Sequence, residues 1–350
     1  MTSVTTDSMA LALCLISLAL WGVWANTWKM TGKWRFELYV VDFLLGLAVV
    51  GLTLCFTVGY FGSSITFLDS LTIVRTRQLA MPGVAGALFA LGIMLLLGAV
   101  SLAGMAVAFS VSAGVAAIVS AVWTYFAKPG VNAVFLLSGS LIVAAAAALA
   151  AVAFRTLQKK KNEGLPLPPS PVSKRPPVPR HSATKGNVMA ALSGLFLGSY
   201  YPLMIGAAAY EVELAPFAMV FLFAIVALMA GLLFSVYFFN LPVEGKPVGL
   251  SMYLKGSAKQ HLMGVLGGAL WIGALSANLL AATAPAELSP GIAASYPVAL
   301  GASTLLILAG LVIWNEFSAA PDRARLFIWL SLPIFHIGAA LIALAPKYAR

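Results

Sequence analysis

Long, uninterrupted apolar runs are the feature of this sequence that most limits how the chain can fold. They recur along all 350 residues, and only 9% of the residues are charged, against about a quarter in an average soluble protein. A helix that crosses a bilayer needs about 20 apolar residues, and in lipid it satisfies its backbone hydrogen bonds internally. The pattern excludes a soluble globular enzyme and predicts an all-α polytopic membrane protein.

Charges, prolines and glycines divide the apolar sequence into ten candidate transmembrane helices. The third and fourth runs almost meet around Phe109 and Ser110, where we expect a tight helical hairpin. The predicted spans are 9–28, 37–61, 83–107, 110–127, 131–154, 187–208, 215–239, 261–283, 290–314 and 326–345.

The second half of the chain repeats the small-residue pattern of the first, for example Ser276 with Ser101. Because each half holds five spans, an odd number, the two copies must enter the membrane from opposite sides. Such inverted-topology repeats are typical of alternating-access transporters. We predict a five-helix repeat over 1–155, a linker rich in proline and lysine over 156–186, and a second five-helix repeat over 187–350.

Basic residues predict the orientation of the chain, since cytoplasmic loops are enriched in lysine and arginine. They collect around Lys29, Lys33 and Arg35 and throughout the central linker. We therefore expect a cytoplasmic linker and both termini outside, in a plasma membrane of the bacterial inner-membrane type. The net charge of +10 then reflects membrane topology, and we expect no nucleic-acid partner.

Acidic residues within the spans are expensive in lipid and therefore informative. Asp42 lies well inside the second predicted span, where a buried carboxylate can bind a proton near neutral pH. We interpret Asp42 as a proton-coupling site, with an interfacial carboxylate paired to Lys33 or Arg35 as the alternative. Glu316 lies close to Arg323 and Arg325 and predicts a gating or structural ion pair. Sodium coupling stays open, because sodium sites can use backbone carbonyls.

Neutral aromatic and amide side chains inside the spans are candidates for a solute pocket, since aromatic rings stack on flat solutes and amides read donors and acceptors. Aromatic belts at the membrane surface are the alternative explanation. Few acidic or basic side chains lie deep in the spans, so the expected solute is small, polar and neutral or weakly ionised. The candidate substrate-binding residues are Trp24, Asn26, Trp123, Tyr201, Asn278 and Tyr296.

Motifs for other chemistry are missing from the sequence. It has no phosphate-loop pattern, no cysteine pairs with metal-ligand spacing and no nucleophilic catalytic constellation. We therefore expect a secondary carrier rather than an enzyme, with no cofactor and no metal site.

Short segments spread over nearly the whole chain carry a family resemblance through their order and spacing. They are W-G-V-W-A-N (21–26), E-L-Y-V-V-D-F (37–43), F-N-L-P-V-E-G-K-P (239–247), Y-L-K (253–255), S-Y-P-V (295–298) and W-N-E-F (314–317). Together they resemble the ureide permease family of the drug/metabolite transporter superfamily. The resemblance implies a ten-helix carrier for proton-linked uptake of allantoin, related ureides, oxopurines or uracil. It also places Asp42 at a carboxylate position of the family's second span.

Other functions fit the same pattern of spans. Related carriers of the superfamily take up sugars, and others export drugs by exchanging protons for lipophilic cations. A membrane scaffold that transports nothing is a further alternative, although an inverted repeat would have no role in it. Flux through a vesicle membrane would separate the scaffold from the carriers.

Overall fold

The computed structural model describes residues 4, 6–60, 66–127, 130–163, 183–210, 212–283, 301–345 and 348. These residues are mostly helical and contain no β-strand. Nine of their helices are long and apolar enough to cross a membrane, and a shorter apolar helix covers Gly301–Ile313. The all-α polytopic membrane fold expected from the apolar runs is therefore confirmed.

We number the helices in chain order, with Gly301–Ile313 as α12. Its last five residues, Ala309–Ile313, form a π-helical turn. The bounds are α1 Asp7–Val23, α2 Asn26–Met30, α3 Phe36–Phe56, α4 Phe67–Ile73, α5 Thr76–Ala103, α6 Met105–Ala127, α7 Ala133–Glu163, α8 Ala183–Ala208, α9 Pro216–Asn240, α10 Leu250–Leu254, α11 Ala258–Ala282, α12 Gly301–Ile313 and α13 Asp322–Leu344.

Nine of the predicted spans overlap a stretch of helix long enough to cross a membrane, and within the described residues the ninth, 290–314, overlaps only the shorter helix α12. Some boundaries also differ. The turn between α5 and α6 lies at Gly104 and not at Phe109 and Ser110, because Gly104 adopts a φ of +83° that favours glycine. Helix α7 continues past the predicted end at residue 154 to Glu163, since Leu157 and Gln158 are still buried. The first part of the ninth predicted span, 290–300, lies outside the described residues.

Close backbone approach at glycines holds the bundle together, as is usual in lipid. A side chain added at Gly268 of α11 would collide with the carbonyl oxygen of Phe43 in α3. Gly86 of α5 lies equally close to the backbone of α9, where an added Cβ would be 2.5 Å from the oxygen of Phe223. Gly139 of α7 and Gly338 of α13 face each other, and a Cβ on either would lie 2.7 Å from the other's oxygen.

Large apolar side chains divide between an aromatic interior and a lipid-facing surface. Phe43, Phe89 and Phe223 are completely buried, whereas Leu141 and Leu233 are largely exposed. Exposed leucines on membrane-length helices need no partner, because lipid tails are as apolar as they are. The interior aromatic layer is what surrounds the candidate site.

Candidate functional site

A cavity of about 140 Å³ lies in the interior of the bundle, between helices from both halves of the chain. Its wall combines aromatic rings, aliphatic side chains and serine hydroxyls, and the described lining residues include no acidic or basic side chain. The lining residues on α1 and its C-cap, α5 and α6 are Trp21, Trp24, Ile93, Leu96, Phe109, Ser112, Ala113, Ala116, Ala117 and Ser120. Those on α8, α11 and α12 are Leu197, Tyr200, Tyr201, Trp271, Ala302, Ser303 and Leu306.

Trp271 is the centre of the aromatic wall. Its ring centroid lies 3.9 Å from that of Phe89 and 5.6 Å from that of Phe223, with which it stacks at 11°. Trp21 and Tyr200 each lie 5.9 Å from it. Rings that are locked against one another offer a rigid, flat surface for a planar solute.

Most polar groups in and behind the wall form hydrogen bonds with other groups of the protein. The hydroxyl of Tyr201 donates to Oδ1 of Asn278 at 2.5 Å, and Ser120 donates to the carbonyl of Gly198 at 2.9 Å. Two of the buried donors that lack an acceptor within the described part of the chain lie in or directly behind the wall: Nε1 of Trp21 and Nδ2 of Asn278. Both groups have almost no accessible surface. An unpaired buried N–H costs about 1–3 kcal/mol, so a solute acceptor that reached either of them would recover that energy.

Asp42 lies away from the cavity, in a polar cluster where α3 meets α10 and α11. One of its carboxylate oxygens accepts from the hydroxyl of Tyr253 at 2.6 Å. Nδ1 of His261 lies 3.1 Å from Oδ1 and 2.9 Å from Oδ2 of the same carboxylate. When the carboxylate is ionised, both of its oxygens are acceptors, and Nδ1 then carries a proton and donates to them. Burial, and then the hydrogen bond and charge of Asp42, raise the pKa of Tyr253, which keeps its phenol a donor.

The alternative interpretation of Asp42 as the partner of Arg35 is not what the structure has, because Arg35 does not pair with it. Its guanidinium instead binds Glu37, with nitrogen–oxygen distances of 2.7 and 3.2 Å. The same guanidinium donates to the carbonyl oxygens of Glu244 and Lys246, which fixes the loop before α10. The partners of Asp42 in the described structure are Tyr253 and His261.

Glu316 joins the region after α12 to the first half of the chain. It forms an ion pair with Lys29 at 2.8 Å, rather than with the nearby Arg323 and Arg325. Its two oxygens also accept the backbone N–H groups of Met105 and Ala106, at 2.8 and 2.9 Å. The carboxylate thus caps the positive end of the α6 dipole and neutralises a lysine from α2.

The predicted solute residues divide into three groups. Trp24 and Tyr201 line the cavity, and Asn278 is buried directly behind Tyr201. Asn26 is not among the lining residues, since its amide accepts from Nε1 of Trp314 at 2.8 Å and donates to the carbonyl of Val23.

Trp123 is also outside the cavity. Its side chain is 41% exposed on the surface of α6, where a tryptophan suits a membrane interface. Tyr296 lies outside the described residues.

Two residues of the polar cluster escaped the sequence reasoning. In the sequence, His261 only begins the eighth predicted span, and Tyr253 only belongs to the segment Y-L-K (253–255). Both are more than two hundred residues from Asp42, so nothing in the local pattern joins them. A histidine at the first turn of a membrane span is the one signal that could have indicated His261.

Comparisons with known proteins give a fold and no family name. No family model matches the chain, and no curated protein matches it. A solved structure described as "Crystal structure of protein" is similar, with a TM-score of 0.53 and 16% identity. The alignment covers 97% of this chain and 98% of that chain. The two proteins therefore share an overall fold over nearly their whole lengths.

Proposed function

We propose that the chain is a secondary active transporter for proton-coupled uptake of small, neutral, nitrogenous solutes such as allantoin-like ureides, uracil and oxopurines. The observation that carries the proposal is the interior cavity, which both halves of the chain line and whose described wall is aromatic and uncharged. A site shared by two halves suits alternating access, since movement of one half against the other exposes it to either side.

An inverted repeat of ten helices is part of the proposal, and the helix contacts support it. Gly268 of α11 packs on the backbone of Phe43 and Leu47 in α3. In the proposed repeat, α5 corresponds to α11 and α9 corresponds to α3. Gly86 of α5 packs in the same way on the backbone of Phe223 and Ala227 in α9. Helices α7 and α13 correspond to each other in the two proposed repeats, and they pack together through Gly139 and Gly338. Matching contacts of this kind are what a pseudo-two-fold axis between two five-helix repeats produces.

Cavity size favours solutes with a single ring. An apolar protein cavity of about 150 Å³ holds a benzene-sized molecule, which is close to the present volume of about 140 Å³. Uracil and the ring of allantoin are of this size, and an oxopurine would need some widening. A lipophilic drug cation fits poorly, because the wall offers neither the volume nor a carboxylate.

The unpaired donors favour a solute with carbonyl groups. Trp21 lines the cavity and its Nε1 has no acceptor among the described residues. Ureides and oxo-substituted rings present carbonyl oxygens that would accept from it. A monosaccharide also stacks on aromatic rings, so sugar uptake is the alternative function, favoured by the serine hydroxyls of the wall.

Asp42 is the proposed coupling residue. It is a carboxylate with a 3% exposed side chain near the end of an apolar span, and uncompensated charge there is costly. Proton binding at Asp42 would accompany solute entry from outside, and proton release into the cytoplasm would reset the carrier. The basic loops favour a bacterial-type inner membrane with a cytoplasmic central linker and external termini.

The test is thermal stability of the purified protein with a solute panel, followed by flux in proteoliposomes. The panel holds allantoin, uracil, xanthine, a monosaccharide and a lipophilic cation, at pH about 6 and about 8. Binding raises the melting temperature by mass action, so we expect a rise with uracil or allantoin that differs between the two pH values. A response to the monosaccharide alone would replace the proposal with sugar uptake. A response to the cation alone would replace it with efflux.

A further inference from the structure

The cluster around Asp42 contains more than one titratable side chain, and its geometry is asymmetric. Asp42 is buried, with a 3% exposed side chain, whereas the imidazole of His261 is 29% exposed. Nδ1 faces the carboxylate, so Nε2 is the ring nitrogen that faces Gly256. The imidazole therefore stands between the buried carboxylate and water.

Glycines and an aromatic cage fix this arrangement. A Cβ at Gly256 would lie 2.5 Å from Nε2 of His261, and a side chain at Gly264 would collide with Cβ of Asp42. The rings of Tyr253 and Trp34 pack edge-on against the imidazole, at centroid distances of 4.8 and 5.6 Å. These contacts hold the imidazole beside its carboxylate partner.

The titratable and charged groups around Asp42 allow a simple count of charge. Tyr253 from α10 and His261 from α11 contact it, and Tyr39 of its own helix is engaged with Thr27 at 2.6 Å. With a neutral imidazole the cluster carries one buried negative charge. One proton on Nε2 converts it to a neutral ion pair, which is far less costly to keep buried.

We infer that Asp42 and His261 together form the proton-binding site, with His261 as the residue that exchanges the proton with water and Tyr253 as the donor that tunes its affinity. This inference rests on the proposed transport function and adds the partner that the coupling carboxylate requires. The site takes up one proton from water at Nε2 and returns it to water from the same nitrogen.

The site is joined to the solute cavity through two helices. Phe43, the neighbour of Asp42, packs on Trp24 at 5.3 Å, and Trp24 lines the cavity. On α11, His261 precedes the cavity residue Trp271 by about 15 Å of helix. A change in charge that shifts α3 against α11 therefore moves two walls of the cavity, with no direct contact between proton and solute.

The experiment compares His261→Gln with His336→Gln in proteoliposomes, using whichever panel solute stabilises the wild type. Glutamine keeps a hydrogen-bond donor towards Asp42 but cannot bind the proton. We expect His261→Gln to lower uphill uptake at least tenfold and to flatten its pH profile, while solute exchange without a proton gradient stays within about twofold. His336 is the matched control, since it is held within the second half by Thr304 and the carbonyl of Leu332.

An unchanged pH profile in His261→Gln, with exchange intact, would overturn the inference and leave the transport proposal standing. Absence of solute exchange in the wild type would overturn the transport proposal itself.

Tyr253→Phe is the second variant, should the glutamine variant fail to fold. Loss of a donor to the carboxylate favours the protonated cluster, so we expect the midpoint of the uptake profile to rise by about one pH unit. No rise, or a fall, would contradict the assignment.

Discussion

The centre of the bundle and its polar end bury very different groups. Around the cavity the described wall is formed by aromatic rings, small aliphatic side chains and hydroxyls, without an acidic or basic group. At the end where α3, α10 and α11 meet, a carboxylate, an imidazole and a phenol are in direct contact. The ion pair of Glu316 with Lys29 lies outside the cavity as well.

In the proposed transporter, this difference would separate solute recognition from charge movement. A cavity without charge selects neutral solutes by shape, stacking and hydrogen bonds. A separate cluster can change its charge without attracting or repelling the solute. Coupling must then pass through the packed helices α3 and α11, whose backbones touch at Gly268.

Filling the cavity should give the largest effect. Ala116→Phe places a ring in a space of about 140 Å³, and we expect solute uptake to fall at least 100-fold because the solute and the ring cannot both fit. Proton binding at the Asp42 cluster should persist. The measurement is uptake in proteoliposomes, with a single symmetric peak in size-exclusion chromatography as evidence of folding.

Val122→Phe is the matched control for Ala116→Phe. Val122 is on the same helix, but its side chain is 52% exposed on the outside of the bundle. Uptake by Val122→Phe should match the wild type. Equal loss in both variants would mean that α6 tolerates no added ring, and full activity of Ala116→Phe would remove the cavity as the solute site.

Removing the unpaired donor of the cavity wall should have an intermediate effect. Trp21→Phe keeps an aromatic ring but loses Nε1, so we expect affinity for a carbonyl-bearing solute to fall about tenfold, equivalent to about 1.4 kcal/mol. Isothermal titration of the purified protein measures it. Trp329→Phe, at a tryptophan that is 46% exposed, is the control and should bind normally. Unaltered affinity in Trp21→Phe would exclude this hydrogen bond.

Weakening the Glu316 contacts should affect uptake least and stability more. Glu316→Gln removes the ion pair with Lys29 and weakens the cap on α6, and we expect the free energy of unfolding to fall by about 1.5–3 kcal/mol. Uptake should change less than threefold, since Glu316 is outside the cavity. Asp322→Asn is the control, because that carboxylate is fully exposed and 3.9 Å from Arg325. Equal stability of the two variants would contradict a structural role for Glu316.

The sequence predicted the helices well because lipid forces long apolar runs into helices, whatever their tertiary contacts. The predicted helix boundaries were wrong where tertiary contacts determine the end of a helix. The end of α5 depends on the conformation of Gly104, and the length of α7 depends on burial of Leu157 beyond the apolar run.

The site could be predicted in part, for a related reason. Burial of a carboxylate in a span follows from its position alone, so the sequence predicts that Asp42 is buried, as the structure has it. Its partner His261 is on a distant helix and could not be found without the fold. Trp123 and Trp24 look alike in an apolar sequence, because hydropathy does not tell which face of a helix meets lipid; the structure exposes the first and buries the second.

The central claim is that solute and proton use separate sites in one carrier, and solute-driven proton entry tests it most directly. Proteoliposomes with a pH-sensitive dye inside receive solute outside, and the wild type is compared with Asp42→Asn. We expect solute to acidify wild-type vesicles, while Asp42→Asn exchanges solute with no acidification and no uphill uptake. Uphill uptake or acidification by Asp42→Asn at the wild-type rate would contradict the account.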